Sequence, residues 1–195
     1  LDNLLPKPTK VRAIQHHPAL PHADISDFMG ALSTRKGVSA RALTFTILTV
    51  ARSGETRGMT WAEVDLDNGV WTIPAQRMKA AKEHRVPLTL TAIAQLGERG
   101  ADTDLVFGSE TKAGKPISDM SMTALLRRME YDNITVHGFR SSFRDWAGET
   151  TSFPREVIEA ALAHVERNEV RKAYNRGLYW EERVKLANWW ADCLD

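Results

Sequence analysis

The chain has 195 residues, 43% of them hydrophobic and 26% charged, enough to bury one proper core. Lys and Arg number 26 against 25 Asp and Glu, so a net charge of +1 marks it neither as strongly basic nor as strongly acidic. No apolar run nears the roughly 20 residues of a membrane span, no charged-then-apolar leader is present, and the single Cys193 excludes an internal disulfide or a thiolate metal cluster, which fits a reducing cytoplasm.

Four of the eight prolines fall in the first 21 residues, so 1–21 reads as an extended linker. The chain opens without Met, which suggests a folded domain, 22–195, taken from a longer protein. The segment "HHPALPH" offers three histidines, but the prolines between them oppose a helical ligand pair and no Cys or acid adjoins them, so no metal is expected. From His22 the apolar residues Ile25, Phe28, Met29 and Leu32 recur at helical spacing up to a stop at Gly37. A second helix follows in "SARALTFTILTVA", capped at Ser39 and apolar nearly all round, as a buried central helix would be. It delivers Arg52, a charge that either complements the helix C-terminus or needs a ligand.

The clearest strand signal is "AEVDLDNGVWTIPA". Val64 and Leu66 alternate, Asn68-Gly69 supplies a tight turn, and Val70, Trp71 and Ile73 return. With a third strand in "HRVPLTL" this makes a small three-stranded antiparallel sheet. The connection before that strand holds Arg77, Lys79 and Lys82, and with Arg85 against Glu83 it carries an excess of three positive charges, suited to a phosphate backbone or to plain solvation. The remainder reads as helices at Thr91–Arg99, Ser118–Glu130, 135–149 and Pro154–His164, with a terminal helix through Trp189 and Trp190. The fold class is therefore α+β and mainly α-helical.

Within "TVHGFRSSFRDWAGE", about 100° per residue puts Phe139, Phe143 and Trp146 in one sector and His137, Arg140, Ser141 and Arg144 opposite. The polar groups at element ends across the chain are Arg52, Lys79, His137, Arg140, His164 and Tyr174. No acidic pair for two metals and no Gly-rich phosphate loop accompanies them. This set suits phosphoryl transfer without a metal. Two guanidiniums grip non-bridging oxygens, a phenol attacks phosphorus, and a lysine or histidine protonates the leaving hydroxyl.

Four segments, "ARSGETRGMTWAEVDLD", "WTIPAQRMKAAKEHRVPLT", "HGFRSSFRDWAGE" and "AHVERNEVRKAYNR", stand in an order that resembles the catalytic domain of tyrosine recombinases, most closely the integrases of prophages and genomic islands. The resemblance implies that fold, and strand cleavage and rejoining through a 3′-phosphotyrosyl link during site-specific recombination. It implies Arg52 and Arg140 as clamp arginines and Glu55 as support for the first. It also implies Lys79 as general acid, with Lys82 as its rival, His137 as proton carrier, His164 as a phosphate donor and Tyr174 as nucleophile, with Tyr179 as the fallback. His164 and Tyr174 stand ten positions apart, one more than most members show, which matches the island subgroup. Arg77, Lys82 and Arg144 are candidate DNA contacts. The partners implied are double-stranded attachment sites, a homotetramer of the full-length protein and accessory DNA-bending proteins, at the bacterial nucleoid in the cytoplasm and without a cofactor. A topoisomerase-like activity and a non-cutting DNA-binding module are the rival readings. The terminal helix docks either on its own body or on a neighbouring protomer.

Overall fold

The computed structural model describes residues 18–164 and 179–195. A 3-10 turn at His22–Asp24 leads into α1 (Ile25–Ser33), whose Ile25, Phe28 and Leu32 are buried at spacings of three and four. Gly37, at a φ of 95°, turns the chain into α2 (Val38–Thr49) and occupies its N-cap, so Ser39 lies inside the helix and does not cap it. The all-round apolar pattern gives the expected central helix. Its buried hydroxyls, Thr46 and Thr49, donate to the carbonyls of Ala42 and Phe45 at 2.7 and 2.6 Å, so no polar atom there is left unpaired.

A short α3 (Ser53–Arg57) follows, and then the sheet of β1 (Val64–Asp65), β2 (Val70–Ile73) and β3 (His84–Pro87), antiparallel in that order. Trp71 pairs with both Val64 and Val86, and Ile73 with His84. The hairpin differs from the expected two-residue turn. The Asp65 carboxylate accepts from the Asn68 backbone at 3.0 Å and its side chain at 2.8 Å, closing the turn early. Leu66 therefore lies in the turn, 38% exposed, and does not extend the strand.

α4 (Leu90–Ile93) is a single turn, much shorter than the expected Thr91–Arg99, because the chain reverses at Gly97, whose φ is 80°. α5 (Ser121–Arg128) buries the stripe of Met122, Leu125 and Leu126. α6 (Gly138–Thr150) buries Phe139, Phe143 and Trp146, as its apolar sector requires. α7 (Arg155–Ala161) is followed by α8 (Trp180–Leu194) in the described chain.

α8 packs in cis. Its Trp190 stacks near Phe143 and Trp146 at ring distances of 5.3 and 4.9 Å, and its indole N–H donates to the Ile47 carbonyl of α2 at 2.9 Å. Aromatic pairs of this kind add about 0.5–1.5 kcal/mol each beyond their area. Residues 18–21 are extended but docked: Pro18 accepts from Thr135 N–H at 3.1 Å, Leu20 accepts from the Ser142 hydroxyl, and Leu20 is buried.

That docking makes two glycines of α6 behave oppositely. A Cβ on Gly138 would lie 2.2 Å from the Pro18 carbonyl oxygen, whereas one on Gly148 meets nothing within 4 Å. Gly138→Ala is expected to lower the unfolding free energy by about 1–3 kcal/mol, and Gly148→Ala to raise it by about 0.5–1 kcal/mol. Chemical denaturation of the two variants checks the opposite signs.

Candidate active site

Arg52 stands at the head of α3, not at the end of α2, which stops at Thr49. A cation is disfavoured at a helix N-terminus, and Glu55 in the first turn offsets it. The Glu55 carboxylate accepts from Arg52 Nη1 at 2.7 Å and from the Arg52 backbone N–H at 2.8 Å. One buried carboxylate thereby caps the helix and aims the guanidinium.

Arg140 projects from α6 into the interior and is only 6% exposed, although the helical wheel put it on the face away from the core. Its guanidinium bridges two helix ends. Nη1 donates to the Val50 carbonyl just past α2, and Nη2 donates to the Leu162 carbonyl just past α7 at 2.6 Å. Both helices end in a left-handed residue, Val50 at a φ of 49° and Ala163 at 50°. At α7 the turn is a Schellman motif: the N–H groups of Ala163 and His164 return to the carbonyls of Ala160 and Glu159 at 3.1 and 3.0 Å. The partial negative charge of two helix C-termini thus supports the buried cation. Among the described residues, no carboxylate bonds to it directly. Burial first, then the charge of Arg52, brings its pKa below the ordinary guanidinium value to about 10, against the opposing pull of Glu55 and Glu159.

The same turn brings His164 to Arg140, with Nε2 3.4 Å from Nη2. The other ring nitrogen, Nδ1, lies 2.5 Å from Glu159, whose second oxygen takes Arg144 at 3.1 Å and Arg155 at 3.7 Å. Burial alone would raise the Glu159 pKa. The His164 hydrogen bond and the charges of Arg144 and Arg155 outweigh it and hold the carboxyl below its usual value. Sequence reasoning missed Glu159, and its only signal was its place five residues before His164 on the expected helix.

His84 was missed as well. It is buried on β3, 3.4 Å from Arg183 of α8, whose guanidinium also donates to the Arg85 carbonyl. Burial first, then the charges of Arg183, Arg140 and Arg52, push its pKa down to about 3. It is a neutral hydrogen-bonding group behind the cluster.

Arg52, Glu55, Arg140 and His164 are therefore gathered. His137 is exposed at the N-cap of α6, three residues before Arg140, whose backbone N–H it accepts at 3.1 Å. Lys79 and Lys82 are exposed on the β2–β3 connection. Arg77 departs from the expected outward contact: its guanidinium turns in to Glu63 and the Glu55 carbonyl. Arg144 is half-exposed and paired with Glu159, not with the neighbouring Asp145. Tyr174 lies outside the described residues, while Tyr179 sits half-buried at the N-cap of α8. Among the described residues no group of His, Cys, Asp and Glu is arranged to hold a metal.

What this arrangement offers chemically is an anion site with fixed donors. Of the five N–H groups on a guanidinium, Arg140 uses one on each Nη for the helix carbonyls and turns the second on Nη2 to His164. Others remain to meet an oxyanion beside Arg52.

The phage integrase family matches residues 18–179. Among curated relatives, the integrase of Enterobacteria phage P4 is 36% identical over 96% of this chain and 47% of its own length. Prophage integrase IntA of Escherichia coli K12 is 39% identical over 76% of this chain and 37% of its own length. The integrase of Shigella phage Sf6 is 32% identical over 93% and 49%. The chain spans about half the length, or less, of these relatives. In fold it is similar to the Tn1549 transposon integrase solved in complex with circular intermediate DNA, with a TM-score of 0.58 at 13% identity over 86% of this chain and 64% of that one.

His84 binds a proton more readily unfolded than folded, so the folded state loses stability as pH falls below 6.5. Relative to His84→Gln, the native chain is expected to lose up to about 1.4 kcal/mol per pH unit between about pH 6.5 and 5; parallel stability curves would contradict this. Ala163→Gly is expected to stabilise by roughly 1 kcal/mol, since glycine is at ease in the left-handed position, and thermal denaturation reads this directly.

Proposed function

The chain belongs to the phage integrase family, and from that premise and the site just described we propose that it cuts and rejoins DNA strands in site-specific recombination. The observation that carries the reading is the buried Arg140 guanidinium, stapled to two helix ends beside Arg52 without a carboxylate of its own among the described residues. A group held in this way complements a phosphodiester passing through a pentacovalent state, because its donors need no reorganisation as charge develops.

In this reading Tyr174 attacks phosphorus and forms the Tyr–O–P bond as the P–O5′ bond breaks. Lys79 gives its proton to the departing 5′-oxygen, and His137 takes up the phenolic proton. Arg52, Arg140 and His164 hold the non-bridging oxygens. Glu55 fixes Arg52, and Glu159 fixes the His164 ring by holding Nδ1 and leaving Nε2 toward the site. The phosphotyrosyl link keeps the energy of the broken bond, so a second strand's 5′-hydroxyl reverses the step without a nucleotide cofactor.

The substrate is double-stranded DNA carrying the element's attachment site, with Lys82 and Arg144 against flanking phosphates. The full-length protein acts as a homotetramer with accessory DNA-bending proteins at the bacterial nucleoid. No described helix is long and apolar enough to cross a membrane.

A nicked duplex from the element's sequenced junctions, which loses the strand needed for rejoining, tests the chemistry. The native chain should accumulate a covalent protein–DNA adduct unaffected by chelator, Tyr174→Phe should form none, and Arg140→Ala should form it about 100- to 1,000-fold more slowly. An adduct with Tyr174→Phe would move the nucleophile elsewhere. A near-native rate for folded Arg140→Ala would remove the guanidinium from the site.

A further inference from the structure

Arg77 stands two residues before Lys79, in a basic stretch of the sequence, yet its guanidinium faces the interior. Nη1 donates to both oxygens of Glu63, and Nη2 donates to the backbone carbonyl of Glu55. The Glu63 carboxylate, itself only 10% exposed, also accepts from the Trp71 indole N–H of β2 at 2.9 Å. Room for the contact comes from Gly58 at the end of α3, where a Cβ would fall 2.9 Å from Arg77 Nη2. Next along the chain, Met78 is buried and accepts from the Ala81 backbone N–H at 2.9 Å, tightening the loop immediately around Lys79.

Glu55 therefore serves two arginines at once. Its carboxylate holds Arg52, and its carbonyl receives Arg77. We propose that Arg77 is a positioning residue that ties the loop bearing Lys79 to the helix bearing Arg52, so that the proton donor and the phosphate clamp keep a fixed mutual distance. This rests on the reading of Lys79 as general acid. An exposed lysine on an untethered ten-residue connection would sample many positions, and a displacement of about 1 Å from the productive geometry already lowers rates on the order of 100-fold. The tether also explains why an arginine is needed. A lysine ammonium is a compact point charge and cannot bridge a carboxylate and a carbonyl with a planar fork.

The test uses two nicked duplexes of the same junction sequence, one with the ordinary 5′-oxygen at the scissile phosphate and one with sulfur in that bridging position. In both, the Tyr174 oxygen bonds to phosphorus as the bond to the 5′ atom breaks. An alkoxide needs Lys79's proton to leave, whereas a thiolate leaves without one. Lys79→Ala, Arg77→Met, Arg77→Lys and the milder Glu63→Gln are compared with the native chain, each checked for folding by circular dichroism. If Arg77→Met fails to fold, Arg77→Lys and Glu63→Gln carry the same comparison.

Arg77 variants are expected to slow cleavage of the oxygen substrate by about 100-fold and to recover most of that rate on the sulfur substrate, as Lys79→Ala does. DNA affinity and its salt dependence should stay as in the native chain. Recovery by Lys79→Ala without recovery by the Arg77 variants would overturn the tether. Failure of Lys79→Ala itself to recover would overturn the general-acid reading and the inference with it. A salt slope reduced by roughly 0.9 in Arg77→Met would make Arg77 a phosphate contact instead.

Discussion

The site depends on one buried cation. Placing a guanidinium in the interior costs several kcal/mol unless its protons are met, and Arg140 meets that cost with main-chain carbonyls at the ends of α2 and α7. Each carbonyl lies beside a residue of the candidate site: Val50 is two residues before Arg52, and Leu162 two before His164. The guanidinium is thus a crosslink that fixes the distance between the segments that carry Arg52 and His164. Both segments bend through left-handed residues to reach it. For a β-branched valine that conformation is a real outlier, and its place beside the cluster marks where backbone comfort yields to site geometry.

The electrostatics follow from how the carboxylates are shared. Glu55 serves Arg52, and Glu159 serves His164, Arg144 and Arg155. Among the described residues Arg140 bonds to main-chain carbonyls and faces His164, and it feels Glu55 and Glu159 only at longer range, so guanidiniums outnumber carboxylates at the centre. The pKa values of Arg140 and His84 are lowered by burial first and then by neighbouring cations, Arg52 among them in both cases. His84 responds by staying neutral, which lets Arg183 of α8 approach it. The terminal helix, seated in cis by Trp190 and Arg183, therefore completes the wall behind the cluster.

Much of the architecture was legible because it obeys local periodicity. The stripe of Phe139, Phe143 and Trp146, the all-round apolar α2 and the three strands are each set by spacings within one segment. Arg52, Arg140 and His164 were singled out by type and order, and the fold sets Arg140 against His164 and near Arg52. Where the reading went astray, a contact between distant segments decided the outcome. A helical wheel puts Arg140 outside, and the basic connection makes Arg77 read as an outward DNA contact; only the fold reveals carbonyls 90 and 22 positions away waiting for them. Leu66 followed the strand alternation until Asp65 and Asn68 closed the turn first. Glu159 and His84 carried no motif at all, because their roles arise from what packs on them.

In the function proposed, this surplus charge holds one DNA phosphate. A crystal structure of the chain with orthovanadate bridging the ends of a nicked duplex tests that directly. Vanadate oxygens should lie within about 3 Å of donors on Arg52, Arg140 and His164 together. An anion bound elsewhere, with Arg140 still facing only Val50 and Leu162, would make the buried guanidinium a structural staple and nothing more.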